Sequence, residues 1–346
     1  MIVKIYTLAN NYGNNADGIG KYSYNFMNKL KEIYFNLDYK VFSSNTVGLS
    51  KIRRIFSLKM IHSTNDMIKK IKNDKPDLVL VEYPFVEENP LFIIKYKRLS
   101  KLCSKYNVKL ALSLHEYSRV HWIKRMYIRK LSKYSSFILT TNKDDREKLL
   151  KYNNNIYLRK IPAGINFDAS IDKMVKNQKI FVYFGLINSS KAFHEMLAAW
   201  KVFNKDREYK LEILTASDIT IESSEDICIL KNLSDIEIAK HLSAAKYSIL
   251  PIKPCVYINN SSFVTSAQFG CICIGHFDQK LQNENFIVNI NGYDFDSFSN
   301  GLKKAILKDD LLKMEAKCFG MKYDMKTVCK ENYNVFCEEI GYENRN

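Results

Sequence analysis

Short apolar runs alternate along this chain with longer stretches whose apolar positions recur at helical spacing. Residues 2–8, 39–43, 78–84, 108–114, 137–141 and 156–161 make one series of runs. They are nearly continuous rather than alternating, the pattern of parallel strands covered on both faces. Helical spacing fills the gaps, as basic amphipathic helices over 51–71 and as helices over 90–106, 119–133 and 143–152. A further helix is expected to begin just after Gly20, because Tyr22, Phe26, Met27 and Leu30 share one face. Over 165–178 the periodicity lapses, and 179–185 (KIFVYFG) then restarts the cycle, followed by runs at 210–215, 227–230, 247–251 and 271–275. Strand–helix alternation in both halves predicts an α/β protein with two doubly wound, Rossmann-like domains. The expected division is 1–165, 166–325 and a C-terminal helix, 326–346, packing back on the first domain.

Composition changes this picture little. With 346 residues, 46% hydrophobic and 26% charged, the chain suits a soluble globular protein with two cores. No apolar run reaches the roughly eighteen residues a membrane-spanning helix needs. The opening residues enter a strand directly, without the features of a signal peptide. Eight cysteines lack metal-like spacing, and Cys271 and Cys273 alternate with isoleucine as buried thiols do. A cytoplasmic location without a bound metal is the expectation.

Charge matters more. Residues 1–165 hold 31 Lys+Arg against 13 Asp+Glu, while the rest hold 22 against 24. Such asymmetry points to an anionic partner for the first half. Two stretches focus it: 51–60 (KIRRIFSLKM) and 119–133 (RVHWIKRMYIRKLSK) interleave basic and apolar residues. The second carries an indole and suits the surface of an anionic membrane. The competing outcome is an apolar stripe facing the core behind a solvated basic back. Nucleic acid is not expected as a partner, because no reading module is present.

The candidate chemistry centres on 247–275 (YSILPIKPCVYINNSSFVTSAQFGCICIG). A strand closed by Pro251 leads into Asn259, Asn260, Ser261 and Ser262, short polar residues that start helices. A helix N-terminus at a strand's carboxyl end is an anion site. Gly18 and Gly20, between a strand and a helix, form a second place where backbone amides can receive a phosphate or sugar. His115, followed by Glu116, sits at the carboxyl end of its strand, where open α/β sheets place ligands.

In order, these motifs resemble the GT-B glycosyltransferases of the large retaining family four. Asp17-Gly18-Ile19-Gly20-Lys21-Tyr22 is similar to their N-terminal glycine-rich loop, and Lys75-Pro76-Asp77 with the following LVLVEYP to their "PDvvh" strand. Leu114-His115-Glu116 stands at the "HD" position. Ile161-Pro162-Ala163-Gly164-Ile165-Asn166 looks like the "iPNGID" hinge, and Phe184-Gly185 through Lys191 like the "FGxxRxxKG" turn. Asn188 or a neighbour stands where arginine is usual, and Ala192 replaces glycine. The family's two glutamates fall at Tyr257 and Thr265, so neither carboxylate is present. The variant "lPY…SG…A…G.PVI" fits better, with Ile249-Leu250-Pro251, Asn260-Ser261-Ser262, Ala267 and Gly270.

The resemblance implies two domains facing each other across a cleft, with a nucleotide-sugar donor as substrate and no cofactor or metal. Its implied donor-binding residues are Gly18, Gly20, Lys21, Gly185, Asn188, Asn260, Ser261, Ser262 and Thr265, with His115 and Lys191 catalytic. The expected activity is retaining transfer of a hexose-type sugar to a lipid-linked, lipopolysaccharide- or capsule-type acceptor at the cytoplasmic membrane face. The alternative is a non-catalytic GT-B module that binds a glycan or a partner.

Overall fold

The computed structural model describes all residues except 1, 15–16, 47–48, 50–52, 54–56, 84–88, 119, 166–175, 220–223 and 343–346. The chain divides into two compact units, Met1–Lys160 with Val328–Asn346, and Ile161–Thr327. Each is built on a six-stranded sheet flanked by helices.

In the first unit the strands are β1 (Val3–Asn10), β2 (Leu37–Ser44), β3 (Leu78–Tyr83), β4 (Lys109–Leu114), β5 (Phe137–Thr140) and β6 (Ile156–Leu158). They run parallel in the order β2-β1-β3-β4-β5-β6. Every residue of β3 is buried, as its near-continuous apolar run requires of a strand covered on both faces. Strand order reverses between β1 and β3, which makes their carboxyl ends the natural place for a ligand. The helices are α1 (Gly18–Ile33), α2 (Lys59–Asp74), α3 (Leu91–Lys105), α4 (Trp122–Tyr134) and α5 (Lys143–Leu149). Helix α1 starts at Gly18, three residues before the start its apolar spacing suggests. Asp17 sets this boundary by capping the first turn, its carboxylate accepting from the amides of Ile19 and Gly20. Half of the basic stretch 51–60 lies outside the described residues, and Lys59 and Met60 open α2.

The second unit contains β7 (Asn177–Phe184), β8 (Lys210–Thr215), β9 (Ile227–Lys231), β10 (Ala245–Leu250), β11 (Ile272–Gly275) and β12 (Ile287–Asn289). Their parallel order, β12-β11-β10-β7-β8-β9, is that of a dinucleotide-binding fold, with the reversal between β7 and β10. Helices α6 (Phe193–Phe203), α7 (Asp235–Ala244), α8 (Ser261–Gln268), α9 (Phe295–Ile306) and α10 (Leu312–Met321) cover it. Phe181 of β7 stacks on Tyr247 of β10 and meets Trp200 of α6 edge-on, so aromatic packing joins the switch-point strands to a covering helix.

The last helix, α11 (Met325–Ile340), is built into the first unit from Val328 onward. Tyr333 stacks on Tyr34, Phe336 meets Phe26, and Glu339 accepts from the hydroxyl of Tyr157 at 2.7 Å. No helix among the described residues is long and apolar enough to cross a membrane.

Candidate functional site

The switch point of the second sheet is framed by two loops, one after β7 and one after β10. Backbone pairing ties them together: Ala192 donates to Pro251 O at 2.8 Å, Lys253 donates to Ser190 O at 2.9 Å, and Lys191 bridges Ile252. Inside the first loop Asn188 acts as a local organiser. Its side-chain oxygen accepts from the amide and hydroxyl of Ser190, at 3.0 and 2.6 Å. Gly185 holds φ +143°, a conformation open to glycine and strained for other residues. A methyl group there would lie 3.6 Å from Ser262 Oγ, so the turn after β7 approaches the start of α8 closely.

Helix α8 begins at Ser261 after the N-cap Asn260, which does not cap it with its side chain. The Asn260 side chain turns back and accepts from Tyr257 N at 2.6 Å, while its carbonyl takes the amides of Phe263 and Val264. The amides of Ser261 and Ser262 have no acceptor among the described residues. Those two donors, with the helix dipole behind them, make this terminus a candidate anion site. On the partner loop the Lys191 ammonium has no hydrogen-bond or ion-pair partner among the described residues. Burial pulls it down from its ordinary value to about 8. A desolvated cation with no counter-charge among the described residues is a candidate anion receiver.

Thr265, placed by its sequence position on the donor, is fully buried. Its hydroxyl donates to Ser261 O and accepts from Gly164 N, both at 2.6 Å. Thr265 thereby locks the Ile161–Ile165 hinge motif to the first turn of α8. It shapes the site from behind.

In the first unit the corresponding edge is charged and closed. Gly20 lies against the β1–α1 loop so tightly that a methyl group would stand 2.1 Å from Asn11 O. Gly18 has open space, and Lys21 lies over the Tyr24 ring at 6.0 Å. The amides of Ile19 and Gly20 are both held by Asp17. His115 follows β4, with Nε2 3.0 Å from Glu82 Oε2 and 3.0 Å from Arg159 Nη2. Arg159 also donates to Tyr22 OH at 2.6 Å, and Ser113 donates to Glu82. Glu82 is 1% exposed. Burial alone raises its carboxyl, but the Arg159 guanidinium and the hydrogen bonds from His115 and Ser113 outweigh that and hold it below its ordinary value. Burial, then the Arg159 charge, lowers His115 from its ordinary value, against the opposing pull of Glu82.

Glu82 and Arg159 are missing from the residues marked by motif. A carboxylate at the carboxyl end of an otherwise apolar strand was the available signal for Glu82. Arg159 had only its place just before the hinge motif. Thus Gly18, Gly20, Lys21 and His115 belong to the first unit, and Gly185, Asn188, Lys191, Asn260, Ser261, Ser262 and Thr265 to the second. Among the described residues no His, Cys, Asp and Glu group with metal-holding geometry occurs.

No protein-family model matches the chain, and no curated protein matches it in sequence. Solved structures are similar over nearly its whole length. MnaA of S. aureus with UDP shares 12% identity at a TM-score of 0.66, over 99% of this chain and 98% of that one. An α-glucosyltransferase complexed with UDP-glucose and DNA containing an abasic site shares 12% at 0.64, over 97% and 100%. A glycosyltransferase from Rickettsia africae ESF-5 shares 13% at 0.62, over 99% and 100%. The fold is the two-unit α/β architecture of these GT-B proteins.

Proposed function

We propose that the protein is a nucleotide-sugar-dependent glycosyltransferase related to the retaining family-four enzymes. In this reading its acceptor is a lipid-linked, lipopolysaccharide- or capsule-type saccharide at the cytoplasmic membrane face. One observation carries the proposal: the switch point of the second sheet presents two helix amides and a desolvated ammonium, none with a partner among the described residues, on loops tied together by backbone pairing. The neighbours that hold UDP or a UDP-sugar support a donor of that class.

In the reaction the bond between the sugar's anomeric carbon and the donor phosphate breaks, and the acceptor hydroxyl forms a new bond to that carbon and loses its proton. Negative charge then grows on the leaving diphosphate. Ser261 N, Ser262 N and Lys191 are the groups that stabilise it, already oriented and partly desolvated. Gly185 lets the backbone approach, Asn188 holds the loop, and Thr265 fixes the helix start. On the family likeness the anomeric configuration is retained and no resident metal is needed.

A thermal-shift screen across UDP-, GDP-, ADP- and CDP-sugars tests the donor site, because a bound donor stabilises by about 2.7 kcal/mol at a hundred times its Kd. No shift with any of them sinks the reading. The second reading, a non-catalytic GT-B module, draws on the missing glutamates and on Thr265 being sealed inside the fold. A donor that binds and is neither transferred, hydrolysed nor isomerised favours that reading. Isomerisation without an acceptor instead assigns the chemistry of the UDP-N-acetylglucosamine 2-epimerases among the similar structures.

A further inference from the structure

Six large apolar side chains stand out of the first unit from three segments that meet at one place. They are Leu58, Leu91, Ile94, Trp122, Ile123 and Met126, each between 46% and 64% exposed. Asn89 gathers the segments. Its side-chain amide reaches Ser57 O at 3.4 Å, its side-chain oxygen accepts Leu91 N at 3.0 Å, and its carbonyl accepts Tyr127 OH at 3.2 Å. Phe92 stacks on Tyr127, and further along Ser100 reaches Tyr134 O, so α3 and α4 run side by side in the same direction. Their leading ends, with the start of α2, therefore share one region.

The two helices are sorted along their length. On α4 the stripe that packs inward is Tyr127, Ile128 and Leu131, while Trp122, Ile123 and Met126 remain outside on the first turns. On α3 Phe92, Tyr96 and Leu99 pack inward, and Leu91 and Ile94 remain outside. Among and after these tips stand Lys95, Lys97 and Arg98 on α3 and Arg125 and Lys130 on α4, and neither helix holds a carboxylate. Glu87 and Glu88 lie outside the described residues.

We propose that this region, an apolar tip backed by a basic collar, docks on an anionic lipid bilayer. The apolar tips enter the interface, where tryptophan is favoured, while the basic collar meets the headgroups. Among the described residues of the two helices the collar carries one sign, and that is the argument for lipid over protein. A protein partner's rim is matched by polar groups of both signs, whereas an anionic surface rewards one. The helix docks by its end, not flat along its side, because the inward stripe is already occupied by core. The inference extends the acceptor half of the proposed function. It is read out without any donor, so either can fail alone.

The chain contains a built-in reporter. Of its two tryptophans, Trp200 is 0% exposed and donates to Asp226, whereas Trp122 is 56% exposed. Vesicles of phosphatidylcholine alone and with phosphatidylglycerol are titrated into the full chain. Expected with the anionic vesicles are a blue-shifted emission, quenching by brominated acyl chains, and partition at least about tenfold stronger than to neutral ones, weakened by salt. Ile94→Glu with Ile123→Glu is expected to cut that partition by about tenfold or more with an unchanged melting temperature. Unchanged emission with anionic vesicles overturns the proposal. So does equal partition to neutral vesicles. A wild-type dimer that the double variant dissociates, with no vesicle binding, also overturns it and assigns the patch to a second copy of the chain.

Discussion

At the carboxyl edge of the first sheet charges are matched: Glu82 meets Arg159 and His115, and Asp17 takes the amides of Ile19 and Gly20. At the corresponding edge of the second sheet the amides of Ser261 and Ser262 and the ammonium of Lys191 meet no acceptor among the described residues. Both edges are switch points of parallel sheets, and both were marked by glycines and a basic residue. The difference lies in whether the fold supplies its own anion. Where it does, the helix start is closed by a cap. Where it does not, the same donors stay without an acceptor among the described residues.

The largest expected effect tests the matched edge. Glu82→Leu strands Arg159 in the interior and should destabilise the first unit by about 3–5 kcal/mol, read from urea unfolding. Adding Arg159→Met should recover most of that loss. If Glu82→Leu alone is neutral, the charges are not compensating one another and the contrast collapses.

The unmatched edge is tested by Lys191→Met. Nucleotide-diphosphate binding, followed by calorimetry, should weaken by about 1.5–3 kcal/mol, roughly 10- to 150-fold in Kd. The unliganded variant should be no less stable than wild type, since it loses a buried charge without a partner. A stability loss with intact binding would make Lys191 structural.

The two glycines of the first unit sharpen the contrast further. Gly20→Ala drives a methyl group into Asn11 O and should cost about 1–3 kcal/mol. Gly18→Ala meets open space and should be neutral or stabilising by up to about 1 kcal/mol. Loss of nucleotide binding in a well-folded Gly18→Ala variant would return that loop to the donor site.

The smallest effect is one of pH. Lys191 folds with a value of about 8, below its ordinary 10.5. Its contribution to stability is therefore complete above 10.5 and is lost as pH falls through about 8. A diphosphate that pairs with it restores the charge. Binding near pH 8–9 should then take up a fraction of a proton, seen as a buffer-dependent heat, and affinity should fall as pH rises through that range. Heat independent of the buffer would separate Lys191 from the ligand. His115, also depressed, adds stability that is present above its ordinary 6.5 and lost as pH falls through its lower folded value.

Much of the fold was legible because buried parallel strands must be continuous apolar runs. β3, β4 and β10 stand within two residues of where LVLVEYP, VKLALSL and YSILP announced them. The three-residue β12 was not announced, being too short to carry a period. In the site, Gly185, Lys191 and Ser262 were marked by motif order, and the loops that carry Lys191 and Ser262 are tied by backbone bonds no side-chain pattern encodes. Glu82 and Arg159 escaped because 77 residues of chain separate them, and a salt bridge leaves no local period.

By itself the sequence determined the strand–helix cycle, the two-unit division of labour in charge, and the positions where a helix start meets a strand end. These follow from periodicity, which is local. Only the tertiary structure decided which helix starts are capped and which stay open, that Thr265 is sealed against Gly164, and that α4 buries Tyr127, Ile128 and Leu131 while leaving Trp122, Ile123 and Met126 outside. The physical reason is that burial and hydrogen-bond satisfaction depend on residues distant in the chain, and a one-dimensional pattern shows which face is apolar without showing what covers it.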